Sequence, residues 1–250
     1  VTKLRQSRDA PILAELLELH AVARPQVLDC TYGSGVIWGR LPVRRDVIKA
    51  DINPALPGLD LVCDWRDLPH YLAAGALDVL VWDPIQVSDV GQTSTLYRRY
   101  VADEHAVRGA RAVTDLFPGF LDVAAYLVKP RTGIVLAKMC DQVHSSRYQW
   151  QVFALVAEAQ RRGWTACQPR VCFNPAPTPI PGIRHQRHTR NDVAYWIVLR
   201  NGPSCIGPGR LVRHRRICEV CETPFWARRR DARSCTAACR KRLSRRGVPG

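Results

Sequence analysis

The chain has 250 residues, and 37 Lys and Arg against 22 Asp and Glu leave it with a formal net charge of +15. Hydrophobic residues make up 46% of it, which excludes a disordered body and allows one sizeable core with a small appendage. No apolar run approaches the roughly eighteen residues a membrane helix requires, and the opening VTKLRQSRDAP is charged, unlike a signal-peptide core. A cytoplasmic protein without membrane contact is expected.

In chain order, Asp9 reads as an N-cap and Pro11 as an early helical proline. Ile12, Leu13, Leu16 and Leu17 follow at helical spacing, so a helix is predicted over 10–22. Short apolar runs then recur at 27–30, 46–52, 61–63, 77–82 and 133–139, with helix-like stretches at 70–76, 113–128 and 145–162. This alternation predicts an α/β fold with a doubly wound, mostly parallel sheet. The last two runs, 164–173 and 193–199, have no helical pattern between them and are expected to form a terminal antiparallel strand pair. Asn201 to Arg210, NGPSCIGPGR, reads as a linker. It divides a body over 1–200 from a tail over 211–250.

In doubly wound sheets ligands sit at the carboxyl ends of strands, so the residues that follow each run are the candidates. The first run ends in VLDCTYGSGV, with Asp29, Gly33 and Gly35, where glycines let a ligand approach the backbone; a tight turn with no ligand fits the same pattern. The second ends at Asp51, placed to accept ribose hydroxyls or to cap a turn. The third ends in CDWRD, where Asp64 suits an adenine amine and Trp65 a ring face. The fourth ends in VWDP, with Asp83 and Pro84 at its tip.

Taken together, this order resembles the class I S-adenosylmethionine-dependent methyltransferases over roughly residues 20–200. Asp83-Pro84 is similar to the D-P-P-Y motif of the amino methyltransferases that act on adenine or cytosine in nucleic acid. The resemblance implies S-adenosyl-L-methionine as cofactor, with Gly33 and Gly35 at its methionine end, Asp51 at the ribose and Asp64 at the adenine. It also implies catalysis by Asp83 and the Pro84 carbonyl. These two groups accept the hydrogens of an exocyclic amine and free its lone pair for in-line attack on a methyl group.

The chain departs from that motif where Ile85 replaces the second proline and Gln86 the aromatic residue that stacks on the target base. Trp82, and Tyr97 and Tyr100 in the segment 85–112, are the rings available as substitutes, with the two tyrosines expected to bind substrate. Carbon-5 cytosine methylation is disfavoured, since no cysteine nucleophile follows Pro84. Between the last two runs, Arg184, His185, Arg187, His188 and Arg190 suit phosphate contact or a solvated loop.

The tail from Arg210 onward carries thirteen basic and three acidic side chains, so it holds +10 of the net charge. Cys218, Cys221, Cys235 and Cys239 form C-x2-C and C-x3-C pairs thirteen residues apart, which suits a structural zinc ion. The spacing resembles treble-clef and zinc-ribbon fingers, with disulfides or free thiols as the alternatives. Zinc with four thiolates contributes −2, so the tail stays strongly basic. A nucleic-acid-binding module is expected, against a solubilising tail or a protein-binding finger. The remaining six cysteines lie singly in apolar runs and read as small buried hydrophobes.

The expected function is therefore methylation of a base amine in nucleic acid, DNA more than RNA, with oligomeric state left open. The alternatives are a decayed methyltransferase fold that binds nucleic acid through its zinc finger, or a methyltransferase of RNA or protein.

Overall fold

The structure is a computed structural model describing residues 9–41, 46–84, 110–144, 147–173, 193–203, 214–227, 233–234, 236, 239 and 241–242. The chain divides into two compact units, Val1–Pro208 and Gly209–Gly250. No helix among the described residues is long and apolar enough to cross a membrane.

The first unit opens with α1 (Asp9–His20), β1 (Val27–Asp29), α2 (Val36–Gly39), β2 (Ile48–Asp51) and β3 (Leu61–Val62). A 3-10 turn (Trp65–Asp67) leads into α3 (Leu68–Tyr71), followed by β4 (Val79–Trp82), α4 (Ala110–Leu127) and β5 (Ile134–Met139). A hairpin of β6 (Gln142–His144) and β7 (Arg147–Gln149) precedes α5 (Gln151–Arg161). The unit closes with β8 (Thr165–Ala166), β9 (Arg170–Phe173) and β10 (Val193–Arg200).

The main sheet has the order β3-β2-β1-β4-β5-β10-β8, with β9 also paired to β10. From β3 to β5 every pairing is parallel, whereas β10 runs antiparallel to β5, β8 and β9. The doubly wound sheet with an antiparallel end is thus present, and it departs from the all-parallel dinucleotide-binding arrangement at β10.

Strand alternation divides the core into two layers. Val79 and Val81 of β4, Ile134 and Leu136 of β5, and Trp196 and Val198 of β10 face one side, where Ile12, Leu13, Leu16 and Leu17 of α1 cover them. Leu80 and Trp82, Val135 and Ala137, and Ile197 and Leu199 face the other side. There they meet Phe117, Phe120, Leu121 and Ala124 of α4 and Leu155 of α5, and Trp82 stacks on Phe120 at 3.8 Å. Residues at the carboxyl ends of β1, β4 and β5 inherit this alternation, so Asp29, Asp83 and Lys138 follow the α1 side.

Two predicted helices are corrected. The helix expected over 70–76 lies earlier, because Asp64 accepts the Arg66 N–H and starts the turn at Trp65. Pro69 then sits in the first turn of α3, and Leu72 leaves it extended. The stretch expected to be helical over 145–162 begins as the β6–β7 hairpin. Its helix starts only at Gln151, where the Asp141 carboxylate accepts the Val152 N–H at 2.9 Å and satisfies an unpaired donor of the first turn.

The second unit contains an antiparallel pair, β11 (His214–Ile217) and β12 (Pro224–Ala227). The turn between them is closed by the Cys218 N–H to the Thr223 carbonyl and the Glu222 N–H to the Cys218 carbonyl.

Candidate active site

The sheet order reverses between β1 and β4, and the residues just past these strands are tied into one assembly. The Cys30 N–H donates to the Val81 carbonyl and the Tyr32 N–H to the Ala50 carbonyl, which seats the β1 turn between β4 and β2. Gly33 donates to Asp51 Oδ2 at 2.8 Å. The Asp83 N–H donates to Thr31 Oγ1 at 2.7 Å, and that hydroxyl donates to Asp29 Oδ1 at 3.3 Å.

The predicted residues at the strand ends have definite places here. Asp51 spends one acceptor position per oxygen, on Gly33 and Asn53, leaving about half of a carboxylate's four positions for a ligand. Gly33 is left-handed at φ 57°, and a Cβ built there meets only the Thr31 carbonyl, at 4.0 Å. Among the described residues nothing else stands within 4 Å of it. Gly35 is different: at φ 67° it caps α2, and a Cβ would lie 2.4 Å from Tyr32 Oη. The space beside Gly35 holds the Tyr32 ring.

Asp29 faces inward. It is buried, accepts the Thr31 N–H at 2.9 Å, and takes Trp38 Nε1 at 2.6 Å, so it anchors the turn from inside. Burial pushes its carboxyl up to about 7, with Asp83 adding to the rise against the Trp38 and Thr31 hydrogen bonds. Trp65 is likewise turned inward. Its ring stands edge-on to Trp82 and Phe120, and the Arg66 guanidinium lies 5.1 Å from its centroid. Asp64 caps the 3-10 turn and pairs with Arg66 at 3.5 Å.

Asp83 lies partly open at the tip of β4, and Pro84 beside it is buried. Lys138 of β5 reaches Asp83 Oδ2 at 3.2 Å and Asp9 Oδ2 at 3.0 Å, while Trp196 Nε1 donates to Asp9 Oδ1 at 2.9 Å. Asp9, read as a helix cap, instead spends its carboxylate on this network. Burial pulls the Lys138 ammonium down, but Asp83 and Asp9 outweigh it and hold the group well above its ordinary range. Burial is the leading influence on Asp9 and acts to raise it, yet Lys138 and its hydrogen bonds leave that carboxyl below its ordinary value.

Two thiols border this row. Burial, with Asp83 and Asp141 adding, pushes Cys140 up to about 12; burial and Asp9 do the same to Cys172. Thiols held protonated in this way are poor nucleophiles. The assembly therefore suits positioning and electrostatics, without a covalent cysteine step.

Sequence reasoning missed Thr31, Lys138 and the tertiary role of Asp9. Lys138 did carry a signal, as the one charge inside the apolar run IVLAKM. Tyr97, Tyr100, Arg184, Arg187, His188 and Arg190 lie outside the described residues, as do Ile85, Gln86 and Cys235.

In the second unit, the sulfurs of Cys218, Cys221 and Cys239 lie within 4.8 Å of one another. The Cys221 and Cys239 sulfurs are 3.8 Å apart. Two thiolates on a tetrahedral zinc with bonds of about 2.3 Å stand about 3.8 Å apart, so this spacing fits a shared metal. The Arg233–Glu219 ion pair at 2.6 Å, with the Glu219 N–H on the Arg233 carbonyl, folds the later segment back onto the first cysteine pair.

No family model matches the chain, and no curated protein does. Among solved structures, it is similar to a candidate DNA modification methylase from Thermus thermophilus, with 12% identity and a TM-score of 0.38 over 60% of this chain. The match spans 55% of that protein, little more than half of its length. It is also similar to a candidate methyltransferase from Streptococcus mutans in complex with SAH, at 11% identity, a TM-score of 0.38, and 78% and 97% coverage of the two chains. A third is TYW2 from M. jannaschii in complex with AdoMet, at 12% identity and a TM-score of 0.38, covering 79% of this chain and 77% of that one. Likenesses at this level assign no activity to this chain.

Proposed function

We propose that the first unit binds S-adenosylmethionine at the β1–β4 switch point and methylates an exocyclic amine of a base in nucleic acid, DNA more than RNA. The observation that carries this reading is the paired tethering of two acidic residues to one turn, Asp51 by its carboxylate and Asp83 by its backbone N–H. Gly33 N–H holds Asp51 on the β2 side, and Thr31 Oγ1 holds the Asp83 backbone on the β4 side. Open-sheet ligands bind at such a point, outside the carboxyl ends of the strands.

The cofactor supplies an electrophilic methyl group. The residues fit it: Asp51 keeps acceptor positions for ribose hydroxyls, and among the described residues the left-handed Gly33 has open space beside its backbone. Asp64, at the tip of β3, would accept an adenine amine.

Asp83 supplies the acceptor for the substrate amine. Its backbone is held by Thr31 and one carboxylate oxygen by Lys138, so the carboxylate is oriented before substrate arrives. Pre-organised acceptors of this kind do not have to reorient in the transition state. With the Pro84 carbonyl, Asp83 draws the amine hydrogens away and leaves the nitrogen lone pair directed at the methyl. A base within a duplex must leave the stack to reach this strand end.

In the second unit, Cys218, Cys221 and Cys239, with Cys235 as the fourth ligand, would hold a structural zinc ion. The unit's positive charge would add phosphate affinity, in which Arg184, Arg187, His188 and Arg190 of the body would share.

Labelled methyl transfer to duplex DNA, single strands, RNA and protein, with wild type and Asp83→Ala, tests the reading. Transfer to DNA that Asp83→Ala abolishes, with cofactor affinity retained, supports it. Exclusive transfer to protein or RNA replaces the substrate assignment. Unchanged turnover in Asp83→Ala removes that residue from the mechanism.

A further inference from the structure

Three aromatic side chains stand in solvent just beyond β5. Tyr148, Trp150 and Phe153 are 45%, 59% and 64% exposed. The Tyr148 and Trp150 rings meet edge to face at 4.6 Å, and Trp150 and Phe153 do so at 5.5 Å. Isolated exposed rings are common on protein surfaces; contiguous ones mark binding sites. Among the described residues the other exposed rings, Tyr71 and Tyr126, share no ring contact of this kind.

The trio is built on a buried anchor. The Tyr148 hydroxyl bonds to Asp141, which is 3% exposed and also accepts the Val152 and Gln151 N–H groups at the start of α5. One carboxylate thereby fixes both the strand that carries Tyr148 and the helix that carries Phe153. Trp150, between them, is held by rings on both sides.

Position and charge select the ligand. β4 and β5 pair in parallel with Trp82 opposite Ala137, and Asp141, which accepts the Val152 N–H at the start of α5, follows the end of β5 by two residues, so the rings stand at the carboxyl end of the strands that carry Asp83 and Lys138. Arg147, exposed and next to Tyr148, offers a cation for a phosphate, on a body whose residues before Arg210 net +5. Flat apolar faces beside a cation match a polymer of stacked bases linked by phosphates.

We infer that Tyr148, Trp150 and Phe153 form a stacking platform for unpaired nucleobases beside Asp83, in place of the ring absent at Gln86. This deepens the proposed methyltransferase reading and rests on it for its place in the reaction. The binding itself is measurable without any methyl transfer.

The test is the anisotropy of a labelled single-stranded oligonucleotide titrated with the full chain, using Trp150→Ala, Trp150→Phe and Tyr71→Ala, each checked for native circular dichroism. Loss of one stacked base in Trp150→Ala should weaken binding about tenfold. The slope of affinity against salt should not change, because no phosphate contact is lost. Trp150→Phe should restore most of the affinity, and Tyr71→Ala should behave as wild type.

Wild-type affinity in Trp150→Ala overturns the platform, and so does an equal loss in Tyr71→Ala. A wild-type dimer that Trp150→Ala disperses in sedimentation assigns the patch to a second copy and overturns it too. A chain that loses oligonucleotide affinity in Trp150→Ala yet binds no S-adenosylmethionine keeps the platform and sinks the methyltransferase reading. Robust methyl transfer with unaltered oligonucleotide affinity in Trp150→Ala does the reverse.

Discussion

Replacing Asp29 with Asn should alter the pH dependence of stability in a calculable way. Asp29 titrates at about 7 in the folded chain, against an ordinary value of 3.8. The folded state therefore keeps a proton that the unfolded chain has released, and between these values stability falls as pH rises. The contribution is fully present below about pH 4, and it is gone above about pH 7. Roughly three pH units at about 1.4 kcal/mol each give a loss of roughly 4 kcal/mol across that window.

Asn cannot titrate, and its amide cannot accept from both Trp38 Nε1 and the Thr31 N–H, which bond to opposite oxygens of Asp29. The orphaned donor adds a constant cost of about 1–3 kcal/mol at every pH. Urea unfolding of wild type and Asp29→Asn from about pH 4 to 8 isolates the effect, because the other titrating groups cancel in the difference. The difference should move by roughly 4 kcal/mol against wild type toward pH 7, turning its advantage of about 1–3 kcal/mol into a deficit, and then level off. A constant difference would mean that Asp29 is ionised throughout, its three hydrogen bonds outweighing burial, and the reasoning would fail.

Lys138→Met leaves Asp9 and Asp83 facing one another without their shared cation, and should cost about 3 kcal/mol in urea unfolding. Adding Asp9→Asn to it should recover part of that loss; no recovery would show that the two carboxylates do not couple through Lys138. Gly35→Ala should destabilise more than Gly33→Ala: both pay left-handed strain of about 1–2 kcal/mol, but only Gly35 also collides with Tyr32. Equal thermal midpoints for the two variants would refute the Tyr32 contact. Cys239→Ser should release zinc from purified protein, as measured by a colorimetric chelator, and metal retained at full stoichiometry would contradict the shared site.

The parallel strands were legible because each is a short apolar run ending in a polar tip, and those tips became the strand ends of the site. Local pattern failed where distant partners act. Asp9 looks like a helix cap in sequence, yet its carboxylate is claimed by Lys138 and Trp196, over a hundred residues away. Trp65 follows a strand end and suggested a free ring, but the 3-10 turn carries it onto Phe120 of α4.

The stretch 145–149 has no apolar period to reveal a hairpin, and the start of α5 is set by Asp141 across that hairpin. The platform of Tyr148, Trp150 and Phe153 escaped notice for the same reason: only the hairpin and the helix start bring those rings together. In the tail, by contrast, cysteine spacing carries its own geometry, and three of the four named cysteines converge.

Isothermal calorimetry with S-adenosylmethionine on wild type and Asp51→Ala tests the central claim most directly. The account predicts saturable binding to wild type that Asp51→Ala weakens by at least about tenfold, the loss of one charge-assisted hydrogen bond. Absence of saturable binding to the intact chain, or binding indifferent to Asp51, would contradict it.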